Sequence, residues 1–233
     1  MTVRDEGMQY AAILLAAGYS RRFGSDKRLA SIDGEPMLLA SLRRLQMAMA
    51  GMSKVDLQLV VRARDPLVAP MLAGMVFENP DSLLQAPVWP VGMGVSIAAG
   101  VKALLGRGCR PDSVAICLAD MPFVEPDTLR RLMFAARPNS ICVPVFEGQR
   151  GHPVVFGKKY FAELQKLRGS RGAEKILRAH RSSVRELAVE DSGVILDIDR
   201  PQDFHSAVQP DPAGRNFAAP GRAGGARSAS QWG

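Results

Sequence analysis

The sequence predicts one three-layer α/β domain built around a mostly parallel, mixed β-sheet. Strand-like and helix-like segments alternate along most of the 233 residues, which is typical of a sheet covered by helices on both faces. The first strand-like segment, 10–16, is a continuous apolar run, as expected for a strand that is buried on both sides. Hydrophobic residues make up 47% of the chain and aromatic residues only 6%, so aliphatic side chains must fill most of the core.

Short apolar runs predict the strands. The first of them, "YAAILLA", is continuous and is followed by a glycine. Pro144 and Pro153 place two of the strands at sheet edges, or stand at strand starts, because proline has no backbone amide to donate. In chain order the predicted strands are 10–16, 55–61, 75–78, 113–119, 141–146, 152–157 and 193–199.

Amphipathic segments between these runs predict the helices. Pro36 and Pro126 stand at helix starts, where the missing amide costs no hydrogen bond. Asp127 adds a negative charge to the first turn of its helix, which favours the helix dipole. The predicted helices are 36–50, 94–105, 125–136, 158–167 and 172–180.

The charge balance and the cysteines narrow the class of protein. The formal net charge of +7 suggests an anionic ligand, although a solvated basic surface gives the same count. Basic residues form no lysine-rich run and no stripe interleaved with aromatics, so nucleic acid is not the expected partner.

The three cysteines, at positions 109, 117 and 142, are odd in number and contain no C-x-x-C pair. This pattern predicts neither a disulfide framework nor a zinc site, and it favours a cytoplasmic protein with reduced thiols.

The two ends of the chain predict neither a membrane segment nor a second folded unit. The apolar run at 10–16 is too short to span a bilayer, and Asp5 and Glu6 stand where a signal peptide would be positive. Residues 209–233 are rich in Gly, Pro, Ala and Ser, a composition that predicts a disordered tail. We therefore expect one domain over 1–208 followed by a tail over 209–233.

A turn of small residues and cations follows the first predicted strand. It begins with "LAAG", Leu15–Gly18, and continues through Ser20, Arg22, Gly24 and Lys27, with few acidic residues near it in the sequence. Small residues let the backbone approach a ligand, and their amides can point at anionic oxygens. A bound triphosphate would then balance the cations. The pattern is not that of a P-loop, and a flexible basic surface loop is the alternative interpretation.

Carboxylates follow two other predicted strands. Asp120 comes after the strand 113–119 and should face the crevice beyond the strand ends, where ligands bind in such sheets. A turn-forming aspartate before Met-Pro is the alternative. Asp197 and Asp199 stand two residues apart at the end of the last predicted strand, so their side chains would share one face. For Asp199, a capping role before Arg200 remains open.

Segments spread in order over residues 10 to 205 resemble the molybdenum cofactor cytidylyltransferases. They are "LAAGYSRRFGSDK", "NPDS…WPVGMGVSIAAG", "LADMPFV", "GQRGHPVVF" and "ILDIDRPQDF". The resemblance implies a Rossmann-like fold of the nucleotide-diphospho-sugar transferase type. It also implies that the phosphate of molybdopterin attacks the α-phosphorus of CTP, giving the cytosine dinucleotide cofactor and pyrophosphate. Ala17 and the Gly-His-Pro segment resemble this family more than its guanylyl-transferring relatives.

The resemblance also implies roles for individual residues. The nucleotide would be bound by Leu15, Ala16, Ala17, Gly18, Arg22, Lys27, Asn79, Gly94 and Ser96. Catalysis would rest on Arg22, Lys27 and Asp120, and a Mg²⁺ ion would be held by Asp120 and Asp199. The pterin substrate would lie against Gly151, His152 and Pro153, with His152 as a pocket residue and not as an acid or base. From its position alone, Ser96 either caps the helix 94–105 or contacts the nucleotide.

Partners and alternatives follow from the same resemblance. The expected ligands are small molecules, with transient contact to a molybdenum hydroxylase or its insertion chaperone, and neither nucleic acid nor a membrane. A relative that uses another nucleotide or another phosphorylated acceptor is one alternative, and a non-catalytic cofactor carrier is the other. The segment "DSLLQAPV" (81–88), Arg62 and Ala119 depart from the family pattern.

Overall fold

A central β-sheet organises the computed structural model, which describes residues 7–20, 23–73, 82–200 and 203. Within these residues the sheet has eight strands in the order β10-β7-β9-β6-β1-β4-β5, with β8 paired to β7, and a separate ribbon joins β2 to β3. The strands are β1 (Tyr10–Ala16), β2 (Ser31–Ile32), β3 (Glu35–Pro36), β4 (Val55–Val61), β5 (Leu83–Gln85), β6 (Ser113–Leu118), β7 (Ile141–Phe146), β8 (Gln149–Arg150), β9 (Val154–Gly157) and β10 (Val184–Ala188).

The strand directions bring three chain segments to one edge of the sheet. β1 is parallel to both β4 and β6, and Leu15 pairs with Val60 on one side and with Leu118 on the other. The carboxyl ends of these strands therefore lie side by side. β9 is the antiparallel strand between β6 and β7, while β10 is parallel to β7. The predicted mostly parallel, mixed sheet is confirmed.

Helices cover both faces of this sheet. Alternate residues of β1 belong to two different cores: Ala12 and Leu14 pack with α1 and α4, whereas Ile13 and Leu15 pack with α3, α5 and α6. This alternation follows from the two-residue repeat of a strand and confirms the three-layer prediction. The helices are α1 (Met37–Met49), α2 (Val68–Met71), α3 (Met93–Gly106), α4 (Pro126–Ala135), α5 (Phe161–Leu164) and α6 (Glu174–Ala179).

The predicted last strand, 193–199, is wrong. Residues Ser192–Ile195 form a 3₁₀ helix that is capped by Asp191, whose carboxylate accepts from the Gly193 amide at 2.9 Å. The same carboxylate accepts from the Glu125 amide at 2.8 Å, which ties this turn to the loop before α4. The edge of the sheet is taken instead by β10, which was not predicted because Arg185 and Glu186 interrupt its apolar residues.

Smaller corrections concern the prolines and the later helices. β7 lies inside the sheet although it contains Pro144, because its partner changes there from β9 to β8. Pro153 stands just before the first residue of β9, as predicted for a strand start. The helix predicted at 158–167 is a 3₁₀ turn, Lys158–Tyr160, followed by the single-turn α5.

Several predictions fall on residues that the structure does not describe. The strand at 75–78 and the tail at 209–233 lie outside the described residues, as do Arg22 and Asn79. The domain boundary at 208 therefore stays a prediction. Among the described residues, none of the helices combines the length and apolar character needed to cross a membrane.

Candidate active site

A cavity of about 410 Å³ lies at the carboxyl ends of β1, β4 and β6. This volume falls in the range of pockets that hold small molecules, roughly 300–1,000 Å³. Leu15, Ala17 and Gly18 from the turn after β1 line it, together with Ser96 from α3 and Asp120 from the loop after β6. The turn of small residues and the predicted carboxylate thus share one cavity.

Lys27 joins the turn to the carboxylates. Its ammonium donates to Asp120 Oδ2 at 2.7 Å, to the Ile198 carbonyl at 3.0 Å and to Asp199 Oδ1 at 3.2 Å. The side chain is only 13% exposed. Burial by itself would lower the pKa of Lys27, but the carboxylates of Asp120 and Asp199 outweigh burial and raise the pKa. Lys27 therefore stays protonated at neutral pH.

The backbone around Lys27 is held by short polar side chains. Lys27 begins a 3₁₀ helix, Lys27–Leu29, whose N-cap is Asp26; the Asp26 carboxylate accepts from the Arg28 amide at 3.2 Å. The Lys27 amide donates to Ser20 Oγ, also at 3.2 Å. Asp and Ser are the residues that favour such caps, so the local sequence itself sets the direction of the lysine.

Asp120 is placed by the turn that ends β6. The Ala119 amide donates to the Leu15 carbonyl at 3.1 Å, and the Met121 amide donates to the Leu118 carbonyl at 3.3 Å. The Asp120 carbonyl accepts from the Ile198 amide at 2.9 Å. This last contact brings the segment with Asp197 and Asp199 beside Asp120, even though that segment is not a strand.

Arg28, which directly follows Lys27, is balanced by acidic residues, contrary to the impression from the sequence. Arg28 is buried and forms ion pairs with Asp26 at 2.6 Å and with Asp65 at 2.5 Å. Hydrogen bonding to Arg28 is the main reason why the pKa of Asp26 falls to about 2. The carbonyl of Ala16 also accepts from Arg28, at 3.4 Å. Arg28 is therefore a structural cation and not one available to a ligand.

The donors at the site fit a hard divalent cation. Asp120 and Asp199 supply two negative charges against the single positive charge of Lys27, so the group has room for further positive charge. Where the chain is described, no set of three or more His, Cys, Asp or Glu side chains could enclose an ion by itself. Mg²⁺ commonly uses one or two carboxylates and takes its other ligands from water and substrate phosphates.

Asp197 is a third carboxylate near this group. Burial is the main cause that raises the pKa of Asp197 to about 7, and the negative charges of Asp120 and Asp199 add to it. The sequence pattern predicted that the side chains of Asp197 and Asp199 share one face of a strand. That prediction is wrong, because residues 196–199 form no strand.

Asp203 supports Asp199 and was missed by the sequence analysis. Its Oδ2 accepts from the backbone amides of Asp199 at 2.9 Å and of Arg200 at 2.7 Å. An aspartate that accepts from amides three and four residues earlier in the chain holds the local turn closed. The available signal was the polar stretch "DRPQD", which ends in an aspartate four residues after Asp199.

The Gly-His-Pro segment does not line this cavity. A side chain at Gly151 would overlap the Val194 carbonyl, which also accepts from the His152 amide at 2.7 Å. His152 is 4% exposed and lines a separate small pocket with Pro153 and Cys117. Burial lowers the pKa of His152 to about 4, so its imidazole is neutral at physiological pH.

The glycines near the start of α3 make room for a loop. Side chains at Gly92 and Gly94 would meet the backbone of Arg168 and Gly169, and the Gly94 amide donates to the Gly169 carbonyl at 3.0 Å. Gly92, and not Ser96, is the N-cap residue of α3, so the capping interpretation of Ser96 is wrong. Ser96 lies in the first turns of α3, facing the cavity.

The cavity also has walls that sequence reasoning missed. Tyr19 and Arg62 line one side, and Pro87, Pro90 and Val91 line another. The Arg62 guanidinium lies over the Tyr19 ring, 5.4 Å from its centroid. Arg62 follows the last residue of β4, so its place at a strand end was the available signal.

The cavity beside Lys27 and Asp120 lies at the strand ends, where α/β sheets of this kind bind their ligands. Residues 12–184 match the model of the MobA-like NTP transferase domain. The chain belongs to this family. Solved structures that are 20% and 16% identical to this chain share its fold, which is of the nucleotide-diphospho-sugar transferase type.

Individual relatives span most of the chain. The purine catabolism protein PucB of Bacillus subtilis is 31% identical over 198 residues, covering 82% of this chain and 92% of that protein. The molybdenum cofactor cytidylyltransferase of Escherichia coli is 24% identical over 198 residues, covering 84% and 94%. The crystal structure of Rv0371c from Mycobacterium tuberculosis has a TM-score of 0.67 at 30% identity, covering 85% of this chain and 97% of that one. A second structure of Rv0371c contains manganese and has a TM-score of 0.64 at 29% identity, with the same coverage.

Proposed function

We propose that this nucleotidyltransferase transfers CMP from CTP to molybdopterin, forming the cytosine dinucleotide cofactor and pyrophosphate. The observation that carries the proposal is that Lys27 bonds both Asp120 and Asp199, and that Asp120 lines the same cavity as the turn after β1. The choice of CTP and molybdopterin is supported by Ala17, by the Gly-His-Pro segment and by the similarity to the Escherichia coli cytidylyltransferase.

The nucleotide is proposed to bind against the turn Leu15–Gly18, with Gly94 and Ser96 on the opposite side. Backbone amides of small residues suit phosphate oxygens, and Lys27 offsets charge on the triphosphate. Arg22 and Asn79 are included in the proposal on the family resemblance.

Asp120 and Asp199 are proposed to hold Mg²⁺. The ion would neutralise charge on the phosphates of the bound nucleotide. The manganese in the Rv0371c structure supports a divalent ion in this family. Because Lys27 already bonds both carboxylates, it fixes their positions and keeps them from repelling each other.

Charge stabilisation and positioning are the main tasks of the protein in this reaction. Both substrates are polyanions, and in-line transfer at phosphorus gains most from alignment and from offset charge. Lys27 can stabilise the charge that gathers as pyrophosphate leaves. The attacking phosphate of molybdopterin is already ionised, so a general base is not required. The neutral, buried His152 agrees with that expectation.

The pterin is proposed to lie on the side of Asp120 that faces Gly151, His152 and Pro153. These residues would shape that side through packing, since His152 is buried. The product would pass to a molybdenum hydroxylase or its insertion chaperone in the cytoplasm. The thiols of Cys109, Cys117 and Cys142 are free, in keeping with a reducing compartment.

The proposal is tested by incubating the purified protein with molybdopterin, Mg²⁺ and each of the four NTPs in turn. We expect pyrophosphate release with CTP and little with the other nucleotides. Asp120→Asn keeps the size of the side chain and removes its charge, so release at the same Mg²⁺ concentration should fall strongly in this variant. Release with another NTP would contradict the choice of nucleotide. Release that depends on another phosphorylated acceptor would contradict the choice of molybdopterin, and cofactor binding without any turnover would favour a carrier.

A further inference from the structure

Four charged side chains form a cluster between the end of β4 and the turn that carries Lys27. Arg28 donates to Asp26 from Nε at 2.9 Å and from Nη2 at 2.6 Å, and its Nη1 lies 2.5 Å from Asp65. Arg62 forms an ion pair with Asp26 through Nη2 and reaches Asp65 from Nε at 3.2 Å. We call Asp26, Arg28, Arg62 and Asp65 the arginine–aspartate cluster.

The arginine–aspartate cluster is neutral as a whole. Its two guanidinium groups match its two carboxylates, and the neighbouring arginines keep the pKa values of both aspartates below their usual value despite burial. Arg62 lines the nucleotide cavity, but its charge is already matched within the cluster. It is therefore poorly suited to neutralising a triphosphate, and its contribution has to be of another kind.

The cluster leads directly to Lys27. Asp26 is the N-cap of the 3₁₀ helix that begins with Lys27, so fixing the Asp26 carboxylate fixes the start of that helix. Arg62 also covers the ring of Tyr19, which stands on the other side of the same turn. Arg62 thus contacts the turn both before and after Ser20, whose hydroxyl accepts from the Lys27 amide.

The side chains of the cluster differ in how deeply they are buried. The side chains of Arg28 and Asp65 are 4% and 3% exposed, so they belong to the folded core of the turn. Arg62 is 17% exposed and reaches the turn from a neighbouring strand. A variant of Arg62 can therefore loosen the turn while the Arg28 ion pairs remain.

We propose that Arg62 is a positioning residue for nucleotidyl transfer, which holds Lys27 in place through Asp26. The inference rests on the proposed function in one respect, namely that Lys27 acts on the bound nucleotide. The planar guanidinium can bond Asp26 and Asp65 together while it stacks on Tyr19. A lysine at this position keeps the positive charge but lacks the planar guanidinium with its several N–H donors. It could therefore replace only part of these contacts.

A double-mutant cycle in the full chain separates positioning from direct action on the substrate. Arg62→Met is expected to lower kcat by about 10–100-fold, because small displacements of a catalytic group are costly, and to change the KM for the nucleotide little. In a Lys27→Ala background the same substitution should cause no further loss, since it acts through Lys27. Losses that multiply in the double variant would overturn the proposal, as would a change in KM alone.

Two further variants control the cycle. Arg62→Lys should recover part of the lost kcat, and equal activity of the lysine and methionine variants would contradict a role for the guanidinium. Arg43→Met removes an exposed arginine that pairs with Glu35, away from the cavity. Its activity should remain that of the unmodified protein.

A measurement without any nucleotide distinguishes failure of this inference from failure of the proposed function. Acylation of Lys27 in the free protein, followed by mass spectrometry, should be slow because the ammonium is buried and makes three hydrogen bonds. Arg62→Met should accelerate labelling at Lys27 several-fold more than at the exposed Lys158, and Arg62→Lys should do so to a smaller degree. An unchanged rate in both variants would overturn the inference. If Arg62→Met accelerates labelling at Lys27 but the protein does not use CTP, the positioning role stands and the proposed substrate is wrong.

Discussion

Lys27 Nζ lies 2.7 Å from Asp120 Oδ2, although the two residues are 93 positions apart in the chain. The parallel pairing of β1 with β6 places the ends of both strands together, and each residue lies in the segment that follows its strand. A buried ammonium and a carboxylate therefore meet at the edge of the cavity. This pair links the turn proposed to bind phosphate to the proposed metal ligands.

Lys27→Ala is expected to lower kcat/KM by roughly 10²–10³-fold, the usual range for removing one well-placed group that stabilises transition-state charge. Steady-state pyrophosphate release measures the effect. Lys158→Ala is the matched control, because Lys158 forms an exposed ion pair with Asp112 far from the cavity. Near-normal turnover in Lys27→Ala would remove the lysine from the mechanism.

Chelation of divalent ions is expected to abolish turnover, and either Mg²⁺ or Mn²⁺ should restore it. Both ions prefer oxygen ligands such as carboxylates. Asp120→Asn and Asp199→Asn should each raise the metal concentration needed for half-maximal activity, because each removes one negative donor. A titration that is identical in both variants and in the unmodified protein would show that the ion binds elsewhere.

The pH dependence of stability should contain two opposing contributions. The pKa of His152 is about 4 in the folded chain and near 6.5 when unfolded, so its contribution is full above pH 6.5 and is lost as the pH falls toward 4. The pKa of Asp197 is raised from 3.8 to about 7, so its contribution is present below pH 3.8 and is lost as the pH rises toward 7. Denaturant unfolding of the metal-free protein measures their sum.

Single variants should expose each contribution. With Asp197→Asn, the free energy of unfolding should rise between pH 4 and 6.5, by on the order of 3 kcal/mol from His152. With His152→Asn, it should instead fall with rising pH. If both variants keep the pH profile of the unmodified protein, the burial assigned to these two groups is wrong.

Gly193→Ala is expected to destabilise the protein by about 1–3 kcal/mol, as is typical of overpacking. A side chain there would overlap the Phe123 carbonyl and lie 2.8 Å from the Asp191 carboxylate. Activity should also fall, because this turn leads to Asp199. Gly106→Ala is the control, since nothing lies within 4 Å of a side chain at that position. Equal thermal stability of both variants would contradict the packing described here.

The sequence predicted the parallel core of the fold well, because its signals are strong. The strands β1, β4 and β7 lie at 10–16, 55–61 and 141–146, as predicted. Their residues are mostly apolar, and β1 is continuously so, which is typical of buried strands. The segment 193–199 looked similar, but Asp191 and Gly193 favour a tight turn that packs on Phe123, and this tertiary contact is not visible in a hydrophobic pattern.

At the site, the sequence predicted the group of Lys27 and the carboxylates better than it predicted the ion pairs around it. Lys27, Asp120 and Asp199 meet as expected. The ion pairs of Arg28 with Asp65 and of Arg62 with Asp26 were missed, because they join segments far apart in the chain. Burial of His152 was missed for the same reason, since it depends on the turn at Val194.

The most direct test of the account is a crystal structure of the protein with Mg²⁺ and a non-hydrolysable CTP analogue. The account predicts that the triphosphate lies against the turn Leu15–Gly18, beside Lys27, with the ion bound by Asp120 and Asp199. A nucleotide bound outside this cavity, or an ion that contacts neither carboxylate, would contradict it.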